Sequence, residues 1–394
     1  MNSEAIIATE IKPQLIEAFG RQEANALITQ GTLTYVSTDG SEEERFEALL
    51  RAICTDPIVV QEWGPEIAAD RMDKWRQTYA GYLARVRELE GKGERTMTAQ
   101  ILDGRAMAKE VRQEVEAGVV RFEQEYGFAP TIAVVRAGSD PASVSYAKMI
   151  KKSFEGAGMN FVLHTLPDTA TTDDVVDIVA MLNADGNIHG IMVQEPLPKG
   201  IDDDEIKATI LPAKDADGVS PINAGRLAQA APVGRTPVEQ DYLVPATPLG
   251  GLEMLLRAGV EISGKRAVVV GRSNIVGRPM SFLLMQHHGT VSMCHSRTQD
   301  LGAVTREADI LCAAVGVAHL ITADMVKPGA IVIDFGFNRL DNRWVGDVDF
   351  EEVKEVASMI TPVPGGTGSM TNVILMRNVL EAAQRQMQRR RAQR

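Results

Sequence analysis

The sequence predicts an α/β fold preceded by a mainly helical segment. Three observations lead to it. From about Met97 onward, short apolar runs alternate with amphipathic stretches of helical spacing. Those runs are apolar almost throughout, as strands are when a parallel sheet is covered on both faces. Before Met97 the apolar residues recur at helical spacing instead. With 394 residues, the chain has room for two or three cores.

A hydrophobic share of 44% and a formal net charge of -12 describe a soluble globular chain and argue against nucleic acid as a partner. The basic tail "RQMQRRRAQR" is the local exception and reads as a solvated helix end. Cys54, Cys294 and Cys312 form no CxxC pair, which points to a reducing compartment. The histidines include no ligand-spaced pair, so no metal site is expected. No run approaches the length of a membrane span. The expectation is a cytoplasmic protein with neither nucleic acid nor membrane as partner.

In the leading segment Ile6, Ile7, Ile11, Leu15, Ile16 and Phe19 recur at helical spacing. "SEEE" at Ser41 to Glu44 is a capping box in front of "RFEALLRAIC". A long helix is expected from Pro65 towards Leu89, with proline near its first turn. "EGKGERT" is polar and glycine-bearing and reads as a linker. Beyond it, strands are expected at "TIAVVRAG", "NFVLHTLP", "IHGIMVQ", "RAVVVG", "TVSMCH", "DILCAAVG" and "AIVIDFG". "TTDDVVDIVAMLNAD" and "EEVKEVASM" read as helices between them. "DPASVSYAKMIKKSFEGAGM" is a turn followed by an amphipathic helix on which Tyr146 and Ile150, four apart, share a face. The stretch from Ile210 to Pro248 is rich in proline and glycine. It is expected to cross from one α/β unit to the next and to line a cleft.

"KRAVVVGRSNIVGRPMSFLLM" reads as a strand, a glycine turn and a helix start. Gly271 and Gly277 stand six apart, so this is not the GxGxxG fingerprint. The mechanics are alike: one glycine ends the strand tightly, and the other lets a helix N-terminus approach a pyrophosphate. The next strand ends in "CHSRT", where an adenosine ribose would lie in a dinucleotide fold. Arg272, Ser296 and Arg297 could jointly accept a 2′-phosphate, and no acid stands there to favour the unphosphorylated cofactor. On spacing alone the two arginines read equally well as surface charges. Two later strands end at glycine, where a nicotinamide could rest. Gly316 and Phe337 therefore join Ser273 in the candidate cofactor set.

"VVVGRSNIVGRPM", "TVSMCHSRT", "KPGAIVIDFGFNR", "VGDVDF" and "TPVPGGTGSMT" together resemble the bifunctional methylenetetrahydrofolate dehydrogenase/methenyltetrahydrofolate cyclohydrolase family. Upstream, "DPASVSYAKMIKKSFEGAGM", "GIMVQEPLPKGID" and "KDADGVSPINAGRL" resemble its folate-binding half. The resemblance runs from about Thr98 to Gln386 and leaves the leading segment uncovered. Residues 1–96 are then a helical extension by their own patterning, and the resemblance implies a folate-binding domain at 97–241, completed by a C-terminal helix at 362–388. A Rossmann-like NADP domain at 242–361 follows from it too, as does a homodimer acting on a tetrahydrofolate substrate.

The implied reactions are oxidation of the methylene folate by NADP and hydrolysis of the methenyl product. By the same resemblance Tyr146, Gln194 and Asp217 are the catalytic set: Tyr146 stacks on or bonds the folate, Gln194 bonds near the reacting nitrogen, and Asp217 anchors the pterin amino group. Pro196, Leu197, Pro364, Gly365 and Gly366 complete the substrate contacts. From the residues alone, Tyr146 could be merely half-buried, Asp217 could cap a turn and Gln194 could satisfy a strand end. The family pattern has a lysine four residues after the tyrosine as the proton-transfer group of the hydrolysis, and position 150 here is isoleucine. Glu195 stands where an apolar residue is usual, and Thr367 and Ser369 where valine and proline are usual. The expectation is an NADP-dependent dehydrogenase whose cyclohydrolase is lost or weakened. The alternatives are a bifunctional enzyme with a relocated base and a non-catalytic folate- or nucleotide-binding protein.

Overall fold

A computed structural model describes residues 7, 11–38, 41–91, 98–234 and 241–392. Ile6, Met97 and the linker beyond Gly91 lie outside the described residues. The chain divides into two compact units, residues 1–96 and 97–394.

The first unit is helical: α1 (Lys12–Ser37, broken at Gly20), α2 (Glu42–Cys54), α3 (Pro57–Trp63) and α4 (Pro65–Gly91). The capping box forms as the sequence predicts, with the Glu44 amide donating to Ser41 Oγ and the Ser41 amide to the Glu44 carboxylate. Ile11, Leu15, Leu27, Phe46, Leu49, Leu50, Ile53 and Trp75 are buried together in this unit's own core. Arg76 of α4 grips Glu47 of α2 through two contacts of 2.8 Å.

The second unit holds two parallel sheets. The larger has six strands in the order β1 (Gln100–Ile101), β11 (Met359–Ile360), β8 (Ile331–Asp334), β7 (Ile310–Ala313), β5 (Arg266–Val270), β6 (Thr290–Cys294). The smaller has three, with β2 (Thr131–Ala137) between β3 (Asn160–Leu166) and β4 (Gly190–Gln194). β9 (Asn338–Leu340) and β10 (Arg343–Val345) make a hairpin. All seven apolar runs become strands, but the cover on both faces expected of them holds for β2, β4, β5, β7 and β8, while the edge strands β3 and β6 are largely exposed. "EEVKEVASM" does not stay helical: only Phe350–Val353 forms a helix before the chain turns into β11.

Helices α5 (Gly104–Tyr126), α6 (Pro141–Glu155), α7 (Thr172–Ala184), α8 (Asp203–Thr209), α9 (Pro221–Gln229), α10 (Ala246–Arg257) and α11 (Gly277–Gln286) clothe the sheets. The last helix, α12 (Thr367–Ala392), packs on α5 and α10. Its Asn378 is buried and donates to the Ala216 and Val244 carbonyls at 2.9 Å. Those two bonds pin both ends of the proline- and glycine-rich crossing, whose residues 235–240 lie outside the described ones. No helix among the described residues is long and apolar enough to cross a membrane.

Candidate functional site

A cavity of about 230 Å³ opens beside the smaller sheet. It is lined from one side by Tyr146 of α6, by β4 through Gln194 and Glu195, and by Asp203 and Lys207 of α8. Asp215 and Asp217 of the crossing, Thr247 of α10, and Ile275 and Val276 of the glycine turn close the other side.

Gln194 ends the buried strand β4 and is itself only 2% exposed. Its Nε2 donates to the Ser143 carbonyl at 2.6 Å, in the first turn of α6. That bond fixes the amide and leaves Oε1 with no partner among the described residues. A buried acceptor left open in a cavity wall costs free energy until something donates to it.

The "DADG" turn separates two aspartates by role. Asp215 is fully buried and accepts from the Val219 and Ser220 amides and from Asn223 Nδ2, at 2.8–3.1 Å. It is Asp215 that caps the turn, and Asp217 makes no hydrogen bond among the described residues. Gly218 takes φ +66° and lies against Val244, where an added Cβ would come within 2.4 Å of the backbone. Only glycine brings the crossing close enough to present Asp217. Burial, then the neighbouring Asp215 and Glu195, push the Asp217 carboxyl up to about 7, against the pull of Lys207. Burial, with help from Asp217, lifts the Tyr146 phenol above its usual value, so it enters the cavity protonated.

Ile150 does not reach the cavity wall. It is fully buried in the apolar core with Val119, Phe154 and Ile374. Lys148, Lys151 and Lys152 are exposed, and Lys151 pairs with Glu155. The one cation among the described lining residues comes from elsewhere. Lys207 lies 2.8 Å from Glu195 and also pairs with Asp203. Burial opposes its charge, but those two carboxylates outweigh burial and hold it above the ordinary lysine value.

The other substrate candidates stand apart from this cavity. Pro196 follows a cis bond from Glu195, and Leu197 packs with the core beneath β4. Pro364 follows a second cis bond, and Gly365 and Gly366 lie against α5, where a Cβ on Gly104 would meet the Gly366 carbonyl at 2.1 Å. Thr367 and Ser369 are not among the lining residues of this cavity. Thr367 is buried and bonds the Asp334 carbonyl, and the Ser369 amide bonds Gly366, both shaping the start of α12.

In the larger sheet, β5 ends at Gly271 with φ +128°, and α11 starts at Gly277. A Cβ on Gly271 would lie 2.1 Å from the Ala314 carbonyl, and one on Gly277 2.3 Å from Gly271. Both positions therefore require glycine, and the turn leaves the N-terminus of α11 open to a pyrophosphate. Ser273 Oγ accepts from the Val276 and Gly277 amides and fixes the turn's shape. Arg272, Ser296 and Arg297 are exposed, and neither arginine has an ion-pair partner among the described residues. The turn and these free cations fit a phosphorylated dinucleotide. Gly316 takes φ +69° in the loop after β7, where Asp347 accepts from the amides of Val315, Gly316 and Val317. Phe337 is exposed and stacked on Trp344, ring centres 4.3 Å apart.

Sequence reading missed Lys207, Asp203 and Asp215. Asp203 and Lys207 are four apart in "DDDEIK", a visible helical pair, but their meeting with Glu195 is a tertiary contact that spacing does not reveal.

Residues 102–217 match the catalytic-domain model of tetrahydrofolate dehydrogenase/cyclohydrolase, and residues 245–387 match its NAD(P)-binding domain. The chain is 53% identical over 292 residues to the bifunctional protein FolD of Roseiflexus sp. (strain RS-1), covering 74% of this chain and 98% of that one. A crystal structure of the bifunctional FolD enzyme from Campylobacter jejuni matches at 40% identity with a TM-score of 0.69, covering 73% of this chain and 99% of that one. The Trypanosoma brucei dehydrogenase-cyclohydrolase, solved with NADP cofactor and inhibitor, matches at 35% identity with a TM-score of 0.67, covering 73% of this chain and 98% of that one.

Proposed function

We propose a function from one premise: the chain belongs to the tetrahydrofolate dehydrogenase/cyclohydrolase family. It is an NADP-dependent methylenetetrahydrofolate dehydrogenase, and we read its cyclohydrolase as lost or much weakened. When bound, NADP supplies the hydride acceptor. The chain's own residues have only to hold and orient the folate, since removing a hydride from the bridging methylene leaves no proton to manage. In this reading Asp217 accepts from the pterin amino group, the Gln194 amide lies beside the reacting nitrogen, and the protonated Tyr146 phenol donates or stacks. The glycine turn that fits the cofactor also lends Ile275 and Val276 to the cavity wall.

Hydrolysis asks for more, because water must add and protons must move. The observation that carries the loss is Ile150, fully buried and apolar where the pattern asks for a lysine. A positioned acid-base group is typically worth about 10²–10⁴-fold. With methylenetetrahydrofolate and NADP the protein should therefore accumulate methenyltetrahydrofolate, followed by its absorbance, and discharge it barely faster than buffer. Rapid discharge would overturn this reading and favour a second one, for which Lys207 in the cavity speaks. Under that second reading Lys207→Met abolishes the hydrolysis while hydride transfer survives.

We also read the enzyme as a cytoplasmic homodimer. Free, buried cysteines support a reducing compartment, and the family resemblance supports the dimer. Light scattering on the eluting protein tests the latter: a monomer mass would refute it.

A further inference from the structure

We propose that the cavity prefers a cation, and so holds the oxidised methenyl folate more tightly than the methylene folate it is made from, whose bridging carbon carries no charge. The inference rests on the folate reading above and adds a charge preference to it. Oxidation removes one hydride from the bridging CH2 and leaves its carbon trigonal between two nitrogens, an amidinium with one positive charge. The methylene form carries no such charge.

Carboxylates reach this cavity from three elements: Glu195 after β4, Asp203 on α8, and Asp217 on the crossing; Asp215 behind it is fully buried, and burial raises its carboxyl towards the neutral form. Against them the described lining offers one ammonium, and Lys207 is already shared by Glu195 and Asp203. Tyr146 adds no charge while its phenol stays protonated. At position 150 a buried isoleucine adds none either. The lining is thus negative, with no cation free to offset Asp217. A carboxylate cluster alone could be a solvated patch. Here Gln194 sits in the same wall, 98% withdrawn from solvent, its amide anchored by Nε2 and its buried Oε1 without a partner among the described residues. A buried acceptor without a partner, in a side chain that lines the cavity, is satisfied when a small shift of that side chain meets a donor-bearing ligand. No group of histidine, cysteine and carboxylate among the described residues is arranged to hold a metal ion. The cation that suits this wall is a diffuse organic one.

Asp217 gives the preference a pH dependence. It faces Tyr146 from α6, Glu195 from β4, Lys207 and Asp203 from α8 and Asp215 from its own turn, and it protonates near 7. Below that it contributes no charge, so the preference weakens as pH falls through about 7.

The test is a binding titration of the full chain with two probes, 5,10-methenyltetrahydrofolate and tetrahydrofolate, at pH 6 to 7.5. The methenyl form should bind on the order of tenfold or more tighter. Glu195→Gln should weaken methenyl binding by roughly tenfold and change tetrahydrofolate binding by less than about twofold. Lys207→Met, which unpairs two carboxylates, should shift methenyl binding the opposite way. Equal affinity for the two probes, or a Glu195→Gln variant that weakens both alike, would overturn the charge preference while leaving the folate reading intact. Binding of neither probe would sink the folate reading and this inference with it.

Discussion

Asp217 is where one residue decides most. Its carboxyl is pushed up to about 7 mainly by burial, so at neutral pH it is divided between two protonation states. Only the ionised form can accept from the amino group and the neighbouring ring N–H together, one on each oxygen, so KM for the folate should fall as pH rises through about 7. Asp217→Asn should remove that dependence and raise KM by roughly tenfold to a hundredfold, as losing a charged hydrogen bond does. A KM profile unchanged by the substitution would rule the anchor out. Ile150 offers the second test at this scale. A lysine there would place an ammonium in the core around Phe154 and Ile374, and Ile150→Lys should cost roughly 3 kcal/mol or more in a denaturant titration. The compensating effect is that burial lowers a lysine's pKa, so any hydrolysis it restores should come from a neutral amine and rise with pH. At this scale the sequence was legible where the group acts within its own stretch of chain. "DADG" marked a special turn, but the division of labour between Asp215 and Asp217 depends on Asn223 and on Val244, which arrive from elsewhere. Glu195 was visible as an oddity, and its partner Lys207 was not.

At the scale of elements, short apolar strands and glycine turns could be read directly, because each run's length and composition fix its local form before anything packs. The "EEVKEVASM" helix could not, since its end is claimed by strand pairing with Ile331 and Val332. The turn between β5 and α11 carries the cofactor prediction. Arg272→Ala should lower the preference for NADP over NAD by roughly 10- to 100-fold, the equivalent of about 1.5–3 kcal/mol for a charged contact. Equal use of both cofactors by the unaltered enzyme would refute the assignment. In the helical unit, the α2–α4 contact is open to a pH test. Arg76 holds the Glu47 carboxyl down to about 2. This contact is fully present above about 4.5 and is lost as pH falls towards 2, because the folded group resists protonation that the unfolded one accepts. Solvent screens the pair, so Glu47→Gln should cost only about 1 kcal/mol near neutrality. Its stability should also be flatter than the parent's over that acid range.

For the whole molecule, the two compact units divide at residue 96, and the matched family domains begin at residue 102. A chain beginning at Met97 should therefore keep its hydride-transfer turnover within about threefold, below the size of a lost active-site contact. A folded truncation with no activity would show that the helical unit contributes to the reaction. The strand Gln100–Ile101 has a consequence for how such a chain is made. It is the first part of the larger sheet to leave the ribosome, yet its strand partner among the described residues is Met359–Ile360, near the other end of the chain. Spatial neighbours here are temporal strangers. Nearly the whole unit must be synthesised before that margin can be sewn shut, and contacts so distant in sequence are slow to find. A nascent chain stalled before Met359 would carry a sheet with a raw edge, the geometry that invites the wrong strand to add itself.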